Sequence, residues 1–270
     1  MSKNGQSFKE AVQSVFAAGV IIIAFVIAIL IYKFVLGNPV NFEGMNPKGS
    51  PLPGNYMAMV YKGGFIVPLL ITIIIVLLTF VIERWLTLRK ARGTGAINAF
   101  VAKLQNHLNN NEIDLAISAC DKQKGSIGNV MKAGLKKYKE LQSDTKLDKD
   151  QKLVSLQKEF EEATALELPM LSRNLVILST IASISVLIGL IGTVLGMIRA
   201  FGALAQAGAP DALALATGIS EALVNTAFGI TGSTLAIIFY NFFSSKIDAM
   251  TYKIDEAGFS LTQTFASQTK

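Results

Sequence analysis

The chain has 270 residues, of which 51% are hydrophobic and only 16% charged, with a mean hydropathy of +0.46 and a formal net charge of +6. This balance excludes an ordinary soluble domain or a disordered segment and points to a membrane protein. A single histidine and a single cysteine exclude a metal centre built from His or Cys, and the lone thiol, Cys120, cannot form an internal disulfide.

Four apolar stretches approach or exceed the roughly 20 residues that a helix needs to cross a bilayer. The first, Val15 to Leu36, follows Lys3 and Lys9 and so resembles a signal peptide at a glance. Its length, its bulky isoleucines and its lack of a small-residue cleavage pattern predict a retained anchor instead, so 1–36 reads as a tail and a span. The following segment, 37–64, is rich in Pro, Gly and Asn and predicts an irregular connection. The second span, 65–88, carries Glu83 and Arg84 as an expected interfacial pair, and Arg89, Lys90 and Arg92 close it at headgroup level. Gly93-Thr94-Gly95 then breaks the helix; no GxxxxGK[ST] follows, so this is not a phosphate loop.

Within 89–173 apolar residues recur at helical spacing. Ile97, Phe100, Val101, Leu104 and Leu108 form one set, Ile113, Leu115, Ala116 and Ile117 a second, and Val130, Met131, Leu135 and Tyr138 a third. They predict short amphipathic helices in a bundle, with His107 as an ordinary surface histidine. A solvated turn at 144–150 leads into one long helix that runs into the third span, 174–200, with a kink at Pro169. A short connection, 201–213, leads to the fourth span, 214–243, and 244–270 continues that span as helix. Lys and Arg concentrate between the second and third spans, so positive-inside reasoning places both termini and 89–173 in the cytoplasm. The expected fold is an all-α integral membrane protein with four transmembrane helices and long helices extending into a cytoplasmic helical domain. The basic charge is thereby accounted for without nucleic acid as a partner.

The last two spans carry the chemistry. In the third, Gly189, Gly192 and Gly196 recur at i, i+3, i+7 and form a flat strip for close helix approach; Thr193 lies beside it and either back-bonds to its own helix or faces a polar lumen. In the fourth, Thr226, Gly229 and Ser233 repeat at the same spacing, Thr217, Glu221 and Asn225 form a neighbouring strip, and Thr231 and Thr234 add hydroxyls. A carboxylate at mid-bilayer costs about 2.5 to 3.5 kcal/mol on insertion scales, so Glu221 needs water, a cation or a donor. The alternative is an interfacial salt bridge with Arg199. There is no GxSxG, HExxH or triad pattern and no cofactor motif, so the chain is not expected to be an enzyme.

The run Gly189-Leu-Ile-Gly192-Thr193-Val-Leu-Gly196-Met197-Ile198, followed by Ile219-Ser-Glu221-Ala222-Leu223-Val-Asn-Thr226-Ala227-Phe-Gly229 and Tyr240-Asn241, resembles the MotA/TolQ/ExbB family of ion-channel subunits, and most of all its ExbB branch. The resemblance covers roughly the last hundred residues. It implies a three-span core, to which 15–36 is an addition expected to pack peripherally against lipid, in the bacterial inner membrane with 37–64 and 201–213 periplasmic. It implies a homopentamer around a dimer of an ExbD-type single-span protein, working on a TonB-like protein and driven by the proton motive force. Thr193, Thr226 and Glu221 fall on the family's pore positions; Asn225, Ser233 and Thr231 are expected to extend the ion pathway, and Gly189, Gly192, Gly196 and Gly229 to pack helices. The ion implied is H⁺, with Na⁺ as the alternative because Thr231, Ser233 and Thr234 add oxygen where relatives are apolar. Prolines that relatives often carry are replaced here by Val186 and Leu235. A TolQ-like or gliding-motor subunit shares this pore chemistry, and a non-conducting membrane scaffold is the reading from a different class.

Overall fold

A computed structural model of the chain describes residues 18–47, 49–205 and 212–268. The tail with Lys3 and Lys9, the start of the first expected span and the middle of the 201–213 connection lie outside the described residues. Among the described residues the regular structure is helical: α1 (Ala18–Leu36), α2 (Tyr56–Tyr61), α3 (Ile66–Ala91), α4 (Ile97–Asn109), α5 (Ile113–Gln123), α6 (Gly125–Ser143), α7 (Lys149–Ser172), α8 (Leu175–Ala205) and α9 (Ala212–Gln268). Four stretches are long and apolar enough to cross a membrane: α1, α3, the α7–α8 run and α9. The chain is thus an all-α membrane protein, and it divides into two compact units, 1–82 with 177–240, and 83–176 with 241–270.

In the first unit, α1 turns its apolar side chains outward, with Ile21, Ile22, Ile23 and Val26 more than half exposed and Ala24 and Ala28 buried. Its last six residues, Ile31–Leu36, are π-helical, closed by the Gly37 N–H donating to Tyr32 O at 2.9 Å. The 37–64 connection is more ordered than its Pro, Gly and Asn content predicts. Asn41 Nδ2 donates to Val35 O and Leu36 O, satisfying the end of α1, while Asn55 Nδ2 donates to Asn41 Oδ1 and Asn55 Oδ1 caps α2 by accepting from the Ala58 N–H. The same residue types that discourage helix supply, as caps, the backbone partners that irregular chain lacks.

The second unit is built on four short helices and the end of α9. The α3 helix stops where Gly93 adopts φ +74°; a Cβ there would stand 2.5 Å from the Gln123 and Lys124 carbonyl oxygens. Thr94 then donates its N–H to Gln123 O and its hydroxyl to Lys122 O, satisfying orphan carbonyls at the end of α5. Asp148 and Gln151 form a capping box that starts α7. Ile97, Phe100, Leu104, Leu108, Ile113, Ala116, Val130, Met131, Leu135 and Tyr138 are buried as their spacing predicts, whereas Leu115 is exposed. Phe160 of α7 lies between Gly134 of α6 and Gly258 of α9, where any larger residue at 134 would meet its ring. The end of α9 is held by Tyr138 Oη donating to Gln268 Oε1, Gln268 Nε2 donating to Leu108 O, and an edge-on contact of Tyr138 with Phe265.

The long helix expected from 151 into the third span is interrupted, and not at Pro169, which α7 accommodates. The break lies at Arg173–Asn174. A buried guanidinium meets the backbone there: Arg84 is 2% exposed, is held by both carboxylate oxygens of Glu83 at 2.6 and 2.7 Å, and donates Nη1 to Leu171 O. Asn174 Nδ2 donates to the same carboxylate. The Glu83–Arg84 pair therefore satisfies the carbonyl that the break sets free.

Cys120 is 2% exposed, and burial pushes its thiol up to about 12. Since the folded thiol ionises above the unfolded one, it contributes stability below the ordinary thiol range that is lost as pH rises toward that value. At pH 8 the folded chain is expected to resist iodoacetamide and to react fully once denatured. Rapid alkylation of the native chain would contradict this packing.

Candidate functional site

The polar strips meet where α8 and α9 pass each other in the first unit. A Cβ on Gly189 would stand 3.0 Å from the Asn225 carbonyl oxygen and from Gly229 Cα; one on Gly192 would stand 2.5 Å from Asn225 Cβ; one on Gly196 would stand 2.8 Å from Ala222 N and Gly218 O. A Cβ on Gly218 or on Gly229 would meet the facing backbone at 2.8 Å in turn. The two main chains therefore touch along a seam of Ser185, Gly189, Gly192 and Gly196 facing Gly218, Ala222, Asn225 and Gly229. The spacing is four, three, four on both helices, the repeat that keeps one face of an α-helix in line.

Close approach puts backbone acceptors within reach of short side chains. Ser185 Oγ donates to Gly229 O at 2.9 Å and Ser233 Oγ to Ala182 O at 2.5 Å, and both serines are buried. The Thr193 and Thr226 hydroxyls hydrogen-bond to each other across the seam, and Thr193 Oγ1 also donates to Gly189 O at 3.2 Å. Thr193 thus back-bonds to its own helix and still offers its oxygen to Thr226. Both threonines are half-buried, so the pair reaches the surface of the chain. Thr231 is exposed and donates to Ala227 O.

Glu221 is 4% exposed and receives Arg199 Nη1 on both carboxylate oxygens, at 2.5 and 2.7 Å. The guanidinium also lies over the Phe65 ring, 5.8 Å from its centroid. Glu221 presses on Gly64, which has φ +76° and no room for a Cβ beside the carboxylate. Asn225, fully buried, donates Nδ2 to Gly63 O at 2.9 Å, and among the described residues its Oδ1 has no partner. The interior of the unit therefore takes Glu221, Asn225 and Ser233, the surface takes Thr231, and the boundary takes Thr193 and Thr226. Ser185, Gly218 and the Gly63–Gly64 turn were not singled out from sequence. Ser185 and Gly218 were findable as the first members of the two four-three-four repeats; Gly63–Gly64 had no signal of its own.

Residues 122–256, half of the chain, match the model of the MotA/TolQ/ExbB proton channel family. Among similar proteins are an ExbB-like biopolymer transport protein of Synechocystis, 41% identical over 32% of this chain and 41% of that protein, and the Tol-Pal system protein TolQ of Pseudomonas aeruginosa, 31% identical over 45% and 52%. The biopolymer transport protein ExbB of Salmonella typhimurium is 40% identical over 26% of this chain and 29% of its own. The matched segments thus span between 29% and 52% of these relatives' lengths.

Filling the seam separates the helices. Gly189→Val and Gly192→Val are each expected to cost about 1–3 kcal/mol by overpacking, a fall of roughly 2–4 °C in thermal midpoint per kcal/mol. Gly202→Ala, where a Cβ meets nothing within 4 Å, is expected to leave the midpoint unchanged. Thermal unfolding in detergent by circular dichroism reads the difference.

Proposed function

The chain belongs to the MotA/TolQ/ExbB proton channel family, and from that premise we propose that it is an ExbB-like subunit of an ion-driven motor in the bacterial inner membrane, transport machinery and not an enzyme. Five copies surround two copies of an ExbD-type single-span protein, with both termini of this chain in the cytoplasm. The ion is H⁺, and the work passes through the partner to a TonB-like protein.

The observation that carries this reading is the Thr193–Thr226 pair. It sets two hydroxyls at the edge of a backbone-tight seam, in a span where a lone polar group is penalised. Hydroxyl oxygens both donate and accept, so they can pass hydrogen bonds to a moving carboxylate without the deep well that a fixed charge creates. Moving one charge through 100 mV yields about 2.3 kcal/mol to drive motion of a loosely held partner. In this reading Thr193 and Thr226 line the pathway. Glu221, Asn225 and Ser233 serve it from behind, by fixing the wall, and Thr231 stands on the neighbouring exposed face. Arg199 cancels the Glu221 charge, so the wall adds no carboxylate that would hold a cation in place.

A TolQ-like role is the second reading, and it is favoured by the longer alignment to the Pseudomonas aeruginosa TolQ protein. The partner co-extracted with the chain separates the two. Native mass spectrometry of the complex from its own membranes is expected to show five copies of this chain with two of a small single-span protein. A partner-free assembly would overturn the motor reading.

In proteoliposomes holding that complex, Thr193→Val and Thr226→Val are each expected to lower ion flux about tenfold or more, the scale of one lost buried hydrogen bond. Thr231→Val is expected to be silent. If the wild-type complex conducts and both seam variants match it, the chain is a scaffold for a pathway elsewhere.

A further inference from the structure

The added helix α1 has no assigned role, and most of its surface is exposed. Its π-helical end is the exception. Tyr32 lies in that stretch, stacks on Tyr61 with ring centroids 4.6 Å apart and donates its hydroxyl to Tyr61 O at 3.0 Å. Phe42 closes the other side of the Tyr61 ring, edge-on at 5.5 Å, and a Cβ on Gly37 would stand 2.5 Å from it. The Asn41–Asn55 hydrogen bond ties the end of α1 to the start of α2. Tyr61 ends α2, and two residues later comes the Gly63–Gly64 turn. That turn gives its Gly63 carbonyl to Asn225 and its open face at Gly64 to the Glu221 carboxylate. An unbroken series of contacts therefore runs from Tyr32 to the buried polar strip of α9.

A helix that only filled lipid-facing space would need none of this. A π turn carries one more residue than the α-turn it replaces, and such turns are frequent at functional sites. Here the π-helical stretch carries Tyr32, whose ring lies on Tyr61, and ends in the two carbonyls that Asn41 reaches. The Gly63–Gly64 turn carries no side chains and Gly64 sits at positive φ, so its place is set by its backbone partners. The Gly63 and Gly64 N–H groups donate to Val60 O and Tyr61 O at the end of α2, so what holds Tyr61 also helps to set the Gly63 carbonyl against Asn225 and Gly64 against Glu221.

We propose that Tyr32 is a positioning residue for the ion pathway, with α1 acting as a brace that holds the Gly63–Gly64 turn against Asn225 and Glu221. The functional half of this statement rests on the motor reading above; the bracing half does not. It acts through packing and one hydrogen bond, and it gives α1 a task beyond filling lipid-facing space.

The test uses the full complex in nanodiscs. Tyr32→Ala removes the stack and the hydrogen bond; Tyr32→Phe removes the hydrogen bond alone. Hydrogen exchange at the amides of 62–66 is expected to accelerate about tenfold or more in Tyr32→Ala and less in Tyr32→Phe, with subunit count by native mass unchanged. The infrared carboxylate band assigned by Glu221→Gln is expected to shift in Tyr32→Ala and to return toward the wild-type position in Tyr32→Phe. Flux is expected to fall in the same order. Unchanged exchange and an unchanged carboxylate band in Tyr32→Ala would overturn the brace whatever the flux does. Faster exchange with wild-type flux would overturn the positioning role. A wild-type complex that does not conduct, with the exchange and band shifts intact, would overturn the motor reading and leave the brace standing. If Tyr32→Ala fails to assemble, Tyr32→Phe decides, since it keeps the ring: wild-type exchange at 62–66 in that variant would overturn the hydrogen-bonded brace.

Discussion

Main-chain contact between α8 and α9 is the constraint on which the membrane unit depends. In a bilayer, apolar side chains gain little by leaving lipid for each other, so helices associate through close packing and hydrogen bonds. The seam supplies both at once. Gly189, Gly192, Gly196, Gly218 and Gly229 let the backbones touch. Only because they touch can Ser185 and Ser233, with one rotatable bond before the hydroxyl, reach carbonyls of the opposite helix. Widen the seam and the serines would fall back on their own turns, and the Thr193–Thr226 pair would part.

The same constraint sorts the polar groups. The seam hydroxyls of Ser185 and Ser233 are buried and satisfied within the chain, whereas Asn225 Oδ1 is buried with no partner among the described residues. A hydroxyl at the seam's edge, as on Thr193 and Thr226, is held in place yet still open to what lies outside. Glu221 and Asn225 meet the Gly63–Gly64 turn, where a carboxylate can be buried because Arg199 meets both its oxygens and glycine leaves it room. Arg199 is itself half exposed, so the pair spans from interior to surface.

Much of this was legible in the sequence, and the parts that were not share a cause. Apolar runs announced the spans, and helical spacing announced α4, α5 and α6, because burial of one face repeats every three or four residues. The Glu221–Arg199 pair was readable only as the alternative to a pore role, since a carboxylate in a span needs water, a cation or a donor and sequence does not say which. The order in the 37–64 connection was hidden, because Asn41 and Asn55 act as caps only through partners that sequence does not specify. The interruption at Arg173–Asn174, where only a kink at Pro169 was expected, was hidden for a similar reason: the Leu171 carbonyl beside it is met by a guanidinium from a helix more than eighty residues earlier. For the candidate pathway residues, sequence spacing shows which share a face but not which neighbour the face meets. Asn225 and Ser233 share the seam with glycines, and that was not visible until α8 lay against them.

The last turns of α9 carry a consequence for biosynthesis. Gln268 donates to Leu108 O and Ser260 bonds to Gln105, across sequence separations of 160 and 155 residues. The slot that receives them, beside Tyr138 and Phe160, is made by α4, α6 and α7, which leave the ribosome long before α9 does. Until residues 260–268 have been synthesised the second unit lacks these contacts, so the nascent chain passes through a partly folded stage with part of its aromatic lining uncovered.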